Sequence, residues 1–232
     1  MRNYLLSAVG LAVTIGCSGG SSSYVPKPPP KIEPVSLKAA DGKNLFPFKV
    51  GNSWTFATKT VQRVGTKSQQ KEIEATFKVA KVEETGGNTR ATIELIIGKD
   101  VVDRQTWISN GKGIFQVNIG LKNVRQFSTP IPAIVFPIEP GKRFSWSGSD
   151  GKSKMAYNSE ILGAQEVDTD MKRMSAIAIE SKGTSVNGKV TEKTDRTIWF
   201  APKIGIVRIR ESTSSTVGAS ELLLTLKSHN VK

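Results

Sequence analysis

The chain repeats itself at long range. Phe46-Pro47-Phe48-Lys49-Val50-Gly51-Asn52-Ser53-Trp54-Thr55-Phe56 lines up with Phe136-Pro137-Ile138-Glu139-Pro140-Gly141-Lys142-Arg143-Phe144-Ser145-Trp146 at an offset of 90. Further on, Asp103-Arg104, Trp107, Gly113 and Ile114 match Asp195-Arg196, Trp199, Gly205 and Ile206 at an offset of 92. Two blocks in one order at nearly one spacing mark two related modules, placed at 45–125 and 135–231. Within them the apolar residues alternate: Ile73, Ala75, Phe77 and Val79 in one run, Ile93, Leu95 and Ile97 in another, then Val207 with Ile209, and Leu222, Leu224 and Leu226. That period of two is the mark of half-buried strands. Gly86-Gly87, Asn110-Gly111, Asp150-Gly151 and Asn187-Gly188 punctuate the runs with pairs suited to tight hairpins. The spacing predicts about ten strands. The fold class is all-β and mostly antiparallel: a curved sheet, half-barrel or sandwich. Ser128-Thr129-Pro130-Ile131-Pro132 is expected to break any strand between the modules, because proline cannot donate to a ladder.

The first 44 residues follow other rules. MRNYLLSAVGLAVTIGC carries one positive charge, Arg2, before an apolar stretch from Leu5 to Gly16. That stretch is shorter than the roughly 20 residues needed to cross a bilayer and matches the apolar region of a secretory signal, set at 1–16. Thr14-Ile15-Gly16-Cys17 resembles the lipobox of bacterial lipoproteins, although the family prefers Leu where Thr14 stands. The resemblance implies that Cys17 becomes the first mature residue and carries a diacylglycerol. It also accounts for a lone cysteine that an exported chain would otherwise leave unpaired. Ser18, by similarity to enterobacterial sorting, favours the outer membrane over the inner. Residues 17–44 hold the lipidated Cys and a Gly/Ser/Pro-rich linker, whose 27 residues after Cys17 reach ~84 Å if fully extended as polyproline II.

Trp199-Phe200-Ala201-Pro202-Lys203-Ile204-Gly205-Ile206-Val207-Arg208 resembles the W-[FY]-A-P-x-x-G-[IVL]-V-[RK] signature of a group of bacterial secreted lipoproteins, the TapB-like proteins. The turn from Phe46 to Trp54 is similar to their earlier F-P-x-x-x-G-x-x-W motif. Ile161 to Val167 is similar to a third block, which in that group leads into Pro-Ala-Gly where this chain has Asp168-Thr169-Asp170. The resemblance spans most of 45–226. It implies a curved antiparallel sheet akin to lipoprotein carriers of the LolA type, and it implies no activity.

Catalytic chemistry is sparsely represented. One Cys and one His exclude disulfide frameworks, Cys-based zinc patterns and His-rich metal clusters. No cofactor is expected. Asp103 and Asp195 each precede an arginine and stand four residues before a tryptophan. They are read as Asp–Arg pairs on a strand rim in preference to catalytic acids. Gly111-Lys112-Gly113 is a turn without phosphate-loop spacing, Asp168-Thr169-Asp170 lacks the remaining ligands of a calcium loop, and His229 reads as a solvated tail residue. Only the stretch around Met171 offers a helix, and its period favours strand. The four tryptophans all belong to the repeat and are expected as core pegs.

Removing the signal lowers the net charge from +13 to +12. An exported lipoprotein rarely meets nucleic acid, so the expected partners are the membrane, through the Cys17 anchor, a hydrophobic ligand held on the concave face of the sheet, and anionic lipid or glycan. A non-catalytic binding module is the leading expectation. The alternative is a structural lipoprotein that meets an envelope protein or an anionic glycan. Which one holds turns on whether the concave side is empty or filled.

Overall fold

The computed structural model describes residues 44–232, so Cys17, the signal and nearly all of the linker lie outside the described residues. Twelve strands follow one another. The first half holds β1 (Ser53–Val64), β2 (Lys67–Thr85), β3 (Asn88–Ile97), β4 (Asp100–Asn110), β5 (Gly113–Ile119) and β6 (Arg125–Val135). The second holds β7 (Arg143–Ser149), β8 (Lys154–Asp168), β9 (Arg173–Asn187), β10 (Val190–Ala201), β11 (Gly205–Ser215) and β12 (Gly218–Asn230). Each strand pairs antiparallel with its sequence neighbours except at β6 and β7, which do not pair with each other, and β12 returns to pair with β1. The result is one sheet in the order β6-β5-β4-β3-β2-β1-β12-β11-β10-β9-β8-β7.

The two edges of this sheet, β6 and β7, meet along a seam. The Trp146 indole donates to Thr129 Oγ1 at 2.9 Å, the Ser149 amide donates to Ser128 Oγ at 2.9 Å, and Arg125 lies 3.0 Å from the buried Asp150 carboxylate. Ile119, Phe127, Ile131, Trp146 and Met155 form a small core across it. The sheet is thus a nearly closed barrel, sealed at the seam by side chains where a backbone ladder is missing. Such closure protects two edges that would otherwise recruit other strands.

The repeat is visible bond by bond. In the first half Gly51 N donates to Val79 O, Asn52 N to Lys49 O, and Val79 N to Asn52 O. In the second, Gly141 N donates to Ile161 O, Lys142 N to Glu139 O, and Ile161 N to Lys142 O. The same turn therefore docks onto the second strand of each half, β2 or β8, and at both docking sites that strand bulges against its next neighbour. Gly51 and Gly141 both adopt positive φ there, at 89° and 82°. Only glycine does so without steric cost.

Three expectations need correcting. Ser128 to Pro132 does not break the chain but lies within β6. β6 is an edge strand and bulges between Gln126 and Ile131, opposite Val117 of β5, so Pro130 and Pro132 need not serve a second ladder. The stretch around Met171 is the turn between β8 and β9, held by Thr169 Oγ1 accepting from Lys172 N. His229 sits in β12 opposite Trp54 and is no solvated tail.

Candidate functional site

In a ladder, residues directly opposite share a face, so the register lists the rows that cross the inside of the barrel. One row reads Ile161, Ile179, Ile198, Ile209, Leu224 and Thr58, from β8 through β12 to β1. All six are buried. Two residues further along each strand, toward the turns joining odd to even strands, the row becomes Ser159, Ser181, Arg196, Glu211, Leu222 and Thr60. The next reads Trp146, Tyr157, Gly183, Thr194, Thr213 and Ser220. The inner face of the second half changes from aliphatic to polar within one step.

The apolar end is filled by the chain itself. Leu45 and Phe46, from the segment before β1, and Ile138, from the loop before β7, join the main core. Phe46 lies 5.0 Å from the ring of Trp54, 5.7 Å from Trp107 in an edge-on contact, and 6.4 Å from Phe200. A Cβ on Gly205, where β11 begins at φ 111°, would stand 3.0 Å from Phe46 Cδ2 and 3.1 Å from Trp54 Nε1. The glycine shared by the repeat and the signature lets these rings seat against the strand.

The polar end is organised around Arg196 and Glu211, directly opposite each other on β10 and β11. Arg196 Nε and Glu211 Oε2 are both buried without a hydrogen-bond partner. Burial pushes the Glu211 carboxyl up to about 7; Arg196 opposes the rise and Glu192 adds to it. The Arg196 guanidinium carbon lies 5.7 Å from the centre of the Tyr157 ring, which stacks on Trp146 at 5.7 Å. Tyr157 lies flat because β9 has Gly183 opposite it, where a Cβ would come within 2.2 Å of the ring. Burial raises the Tyr157 hydroxyl pKa as well. Ser159 and Ser181 share a hydrogen bond at 2.8 Å, and Thr213 and Ser220 share one at 2.7 Å. The arrangement offers a cation, a carboxyl poised to be neutral or charged near neutrality, and hydroxyls, all above an aliphatic floor. That set can hold a polar head group; no nucleophile–base pair is built from it.

The repeat residues take other positions. Phe46, Trp54, Trp107 and Phe136 are buried in the main core, Trp146 is buried at the seam, and Trp199 is partly buried beside the main core. Every tryptophan indole has a partner: Ile204 O for Trp54, Gln105 Oε1 for Trp107 at 3.0 Å, Thr129 Oγ1 for Trp146, and Gln165 Oε1 for Trp199 at 2.9 Å. Pro47 O accepts from Asn52 Nδ2 at 2.9 Å, Pro137 is exposed, and Gly113 opens β5 as Gly205 opens β11. The expected Asp–Arg rim pairs are absent among the described residues. Arg104 instead binds Glu94 at 2.6 Å, and Arg196 turns inward while Asp195 is exposed. Asp103, on β4 in the other half, is partly buried and its pKa is raised by that burial.

Comparison with known proteins adds little. No family model matches the chain, and no curated protein matches it. A candidate lipoprotein of Parabacteroides distasonis superposes with a TM-score of 0.49 at 12% identity, covering 80% of this chain and 98% of that one. A candidate exported protein with a YmcC-like fold from Bacteroides fragilis gives 0.47 at 13% identity, with the same coverage.

Proposed function

We propose that the chain is a lipid-anchored protein of the bacterial envelope whose barrel binds an amphipathic, lipid-like ligand without transforming it. The lipobox-like stretch ending at Cys17 supports the location, the outer membrane being favoured by Ser18. The observation that carries the binding is the buried pair of unpartnered polar atoms, Arg196 Nε and Glu211 Oε2, one row above the isoleucines. A buried polar group without a partner costs about 1–3 kcal/mol, which a ligand head group recovers on arrival. The ligand's apolar part lies toward the aliphatic row and its head toward Arg196. Non-catalytic binding is further supported by the separation of the two candidate acids, Asp103 on β4 and the exposed Asp195 on β10.

A second reading is favoured by the self-filled end, where Leu45, Phe46 and Ile138 occupy the core. There the barrel acts as a solid structural module that meets an envelope partner from outside. Native mass spectrometry of the mature chain, residues 17–232 with Cys17→Ser, separates the two. The binding account expects a lipid-sized adduct that Arg196→Gln strips and the outward-facing Arg210→Gln retains. A bare protein mass, with no uptake of a fluorescent fatty acid, replaces the account with the structural one.

A further inference from the structure

In an antiparallel meander the turns from odd to even strands all lie at one end, here the end where the inner face becomes polar. Five of these six turns carry exposed lysines: Lys67, Lys99, Lys122, Lys152 with Lys154, and Lys189. None of the six forms an ion pair among the described residues. Asp100 is the one exposed carboxylate in these turns, since Asp150 is buried against Arg125. The same end exposes Val64 (65%), Val124 (57%), Val217 (44%) and Val186 (41%). Six large apolar side chains are exposed among the described residues, so four stand here, leaving Val50 and Met171 at the other end.

Lysines alone would be read as a device for solubility. Valines set among them work against solubility, and the two together match an interface that is anionic at its surface and apolar just beneath. At the opposite end the charges are mixed, and Arg173 is spent on Glu166 and Asp168.

We infer that the ring of odd-to-even turns docks onto an anionic phospholipid bilayer, lysines against the phosphates and valines among the upper acyl carbons. The polar mouth of the barrel then opens onto the membrane surface. The inference stands on the rim and is independent of whether the interior takes a ligand.

The test is co-sedimentation of the mature chain with Cys17→Ser, so that no acyl chain contributes, with vesicles of phosphatidylglycerol and phosphatidylcholine or of phosphatidylcholine alone. Binding is expected to the anionic vesicles only, and to weaken with salt. At about 1 kcal/mol for each lysine near an anionic surface, the triple change Lys67→Gln, Lys99→Gln and Lys189→Gln is expected to weaken it about a hundredfold. Val64→Ser with Val217→Ser weakens it further at high salt, where the charge contribution is screened. Lys112→Gln with Lys203→Gln, at the opposite end, leaves it within about twofold. The same triple lysine variant is expected to keep the lipid-sized adduct that Arg196→Gln strips, which separates failure of the rim from failure of the interior. Equal losses from lysines at both ends would reduce the attraction to net charge and overturn the inference, as would no binding to anionic vesicles. Binding to anionic polysaccharide but not to vesicles would overturn it in favour of a glycan.

Discussion

Glu211→Gln is expected to stabilise the fold at alkaline pH. The carboxyl is buried, and its pKa rises from 4.5 to about 7 on folding. The folded chain therefore binds this proton more tightly than the unfolded one. Between those values the folded state holds more protons, so stability is complete below pH 4.5 and declines as pH rises toward 7. At about 1.4 kcal/mol per pH unit of separation, the ionised carboxylate costs about 3 kcal/mol above pH 7. Glutamine copies the shape of the protonated acid and carries no charge, so it escapes that cost. Urea unfolding followed by tryptophan fluorescence, on wild type and variant at about pH 4 and about pH 8.5, reads the effect as a shift in midpoint at constant slope. Titrations elsewhere in the molecule cancel in the difference between the two proteins. The difference should be small in acid and reach about 3 kcal/mol in favour of the variant in base. A difference that does not change with pH, or a wild type more stable than the variant in base, would refute the reasoning. Either result would mean that Arg196 holds the carboxylate as a true ion pair.

Three further outcomes follow from the packing. Phe46→Ala removes the ring that joins Trp54, Trp107 and Phe200, and should cost about 3–5 kcal/mol in urea unfolding. Gly183→Val puts a side chain where Tyr157 lies, so about 1–3 kcal/mol should be lost, with a changed near-ultraviolet dichroism from the Tyr157–Trp146 stack. Arg125→Ala strips the partner from the buried Asp150 at the seam, and about 3–5 kcal/mol is expected, with faster amide exchange in β6 and β7 than in β1 and β12.

Much of the scaffold is legible in the residues. The offset of 90 between Phe46 and Phe136 returns as the same offset between Ser53 and Arg143, where β1 and β7 begin. The offset of 92 between Gly113 and Gly205 marks the starts of β5 and β11. The interior was harder to read. Asp195 and Arg196 look like a pair because they are adjacent, yet neighbours on a strand point to opposite faces. Arg196 could have been found by parity: it continues the positions of Phe200 and Ile198 along β10, as Glu211 continues Ile209 along β11. Extra residues at bulges, Val207 on β11 opposite Trp199/Phe200 and Leu162 on β8, break that parity within their own strand, so it holds only on either side of them. β6 was hidden by prolines that only an edge strand tolerates. The rim of lysines and valines was hidden more deeply, because the sequence does not say which turns share an end until the strand order is known.

The central claim is that Arg196 meets a ligand head group inside the barrel. The most direct measurement is the nitrogen-15 NMR signal of the Arg196 side-chain Nε–H, followed as a lysophospholipid below its micelle concentration is added to the Cys17→Ser mature chain. The account predicts that this signal and the amides of Ser181 and Glu211 shift together and saturate at one ligand per chain. Shifts confined to exposed strand positions, with the Arg196 signal unmoved, would contradict it.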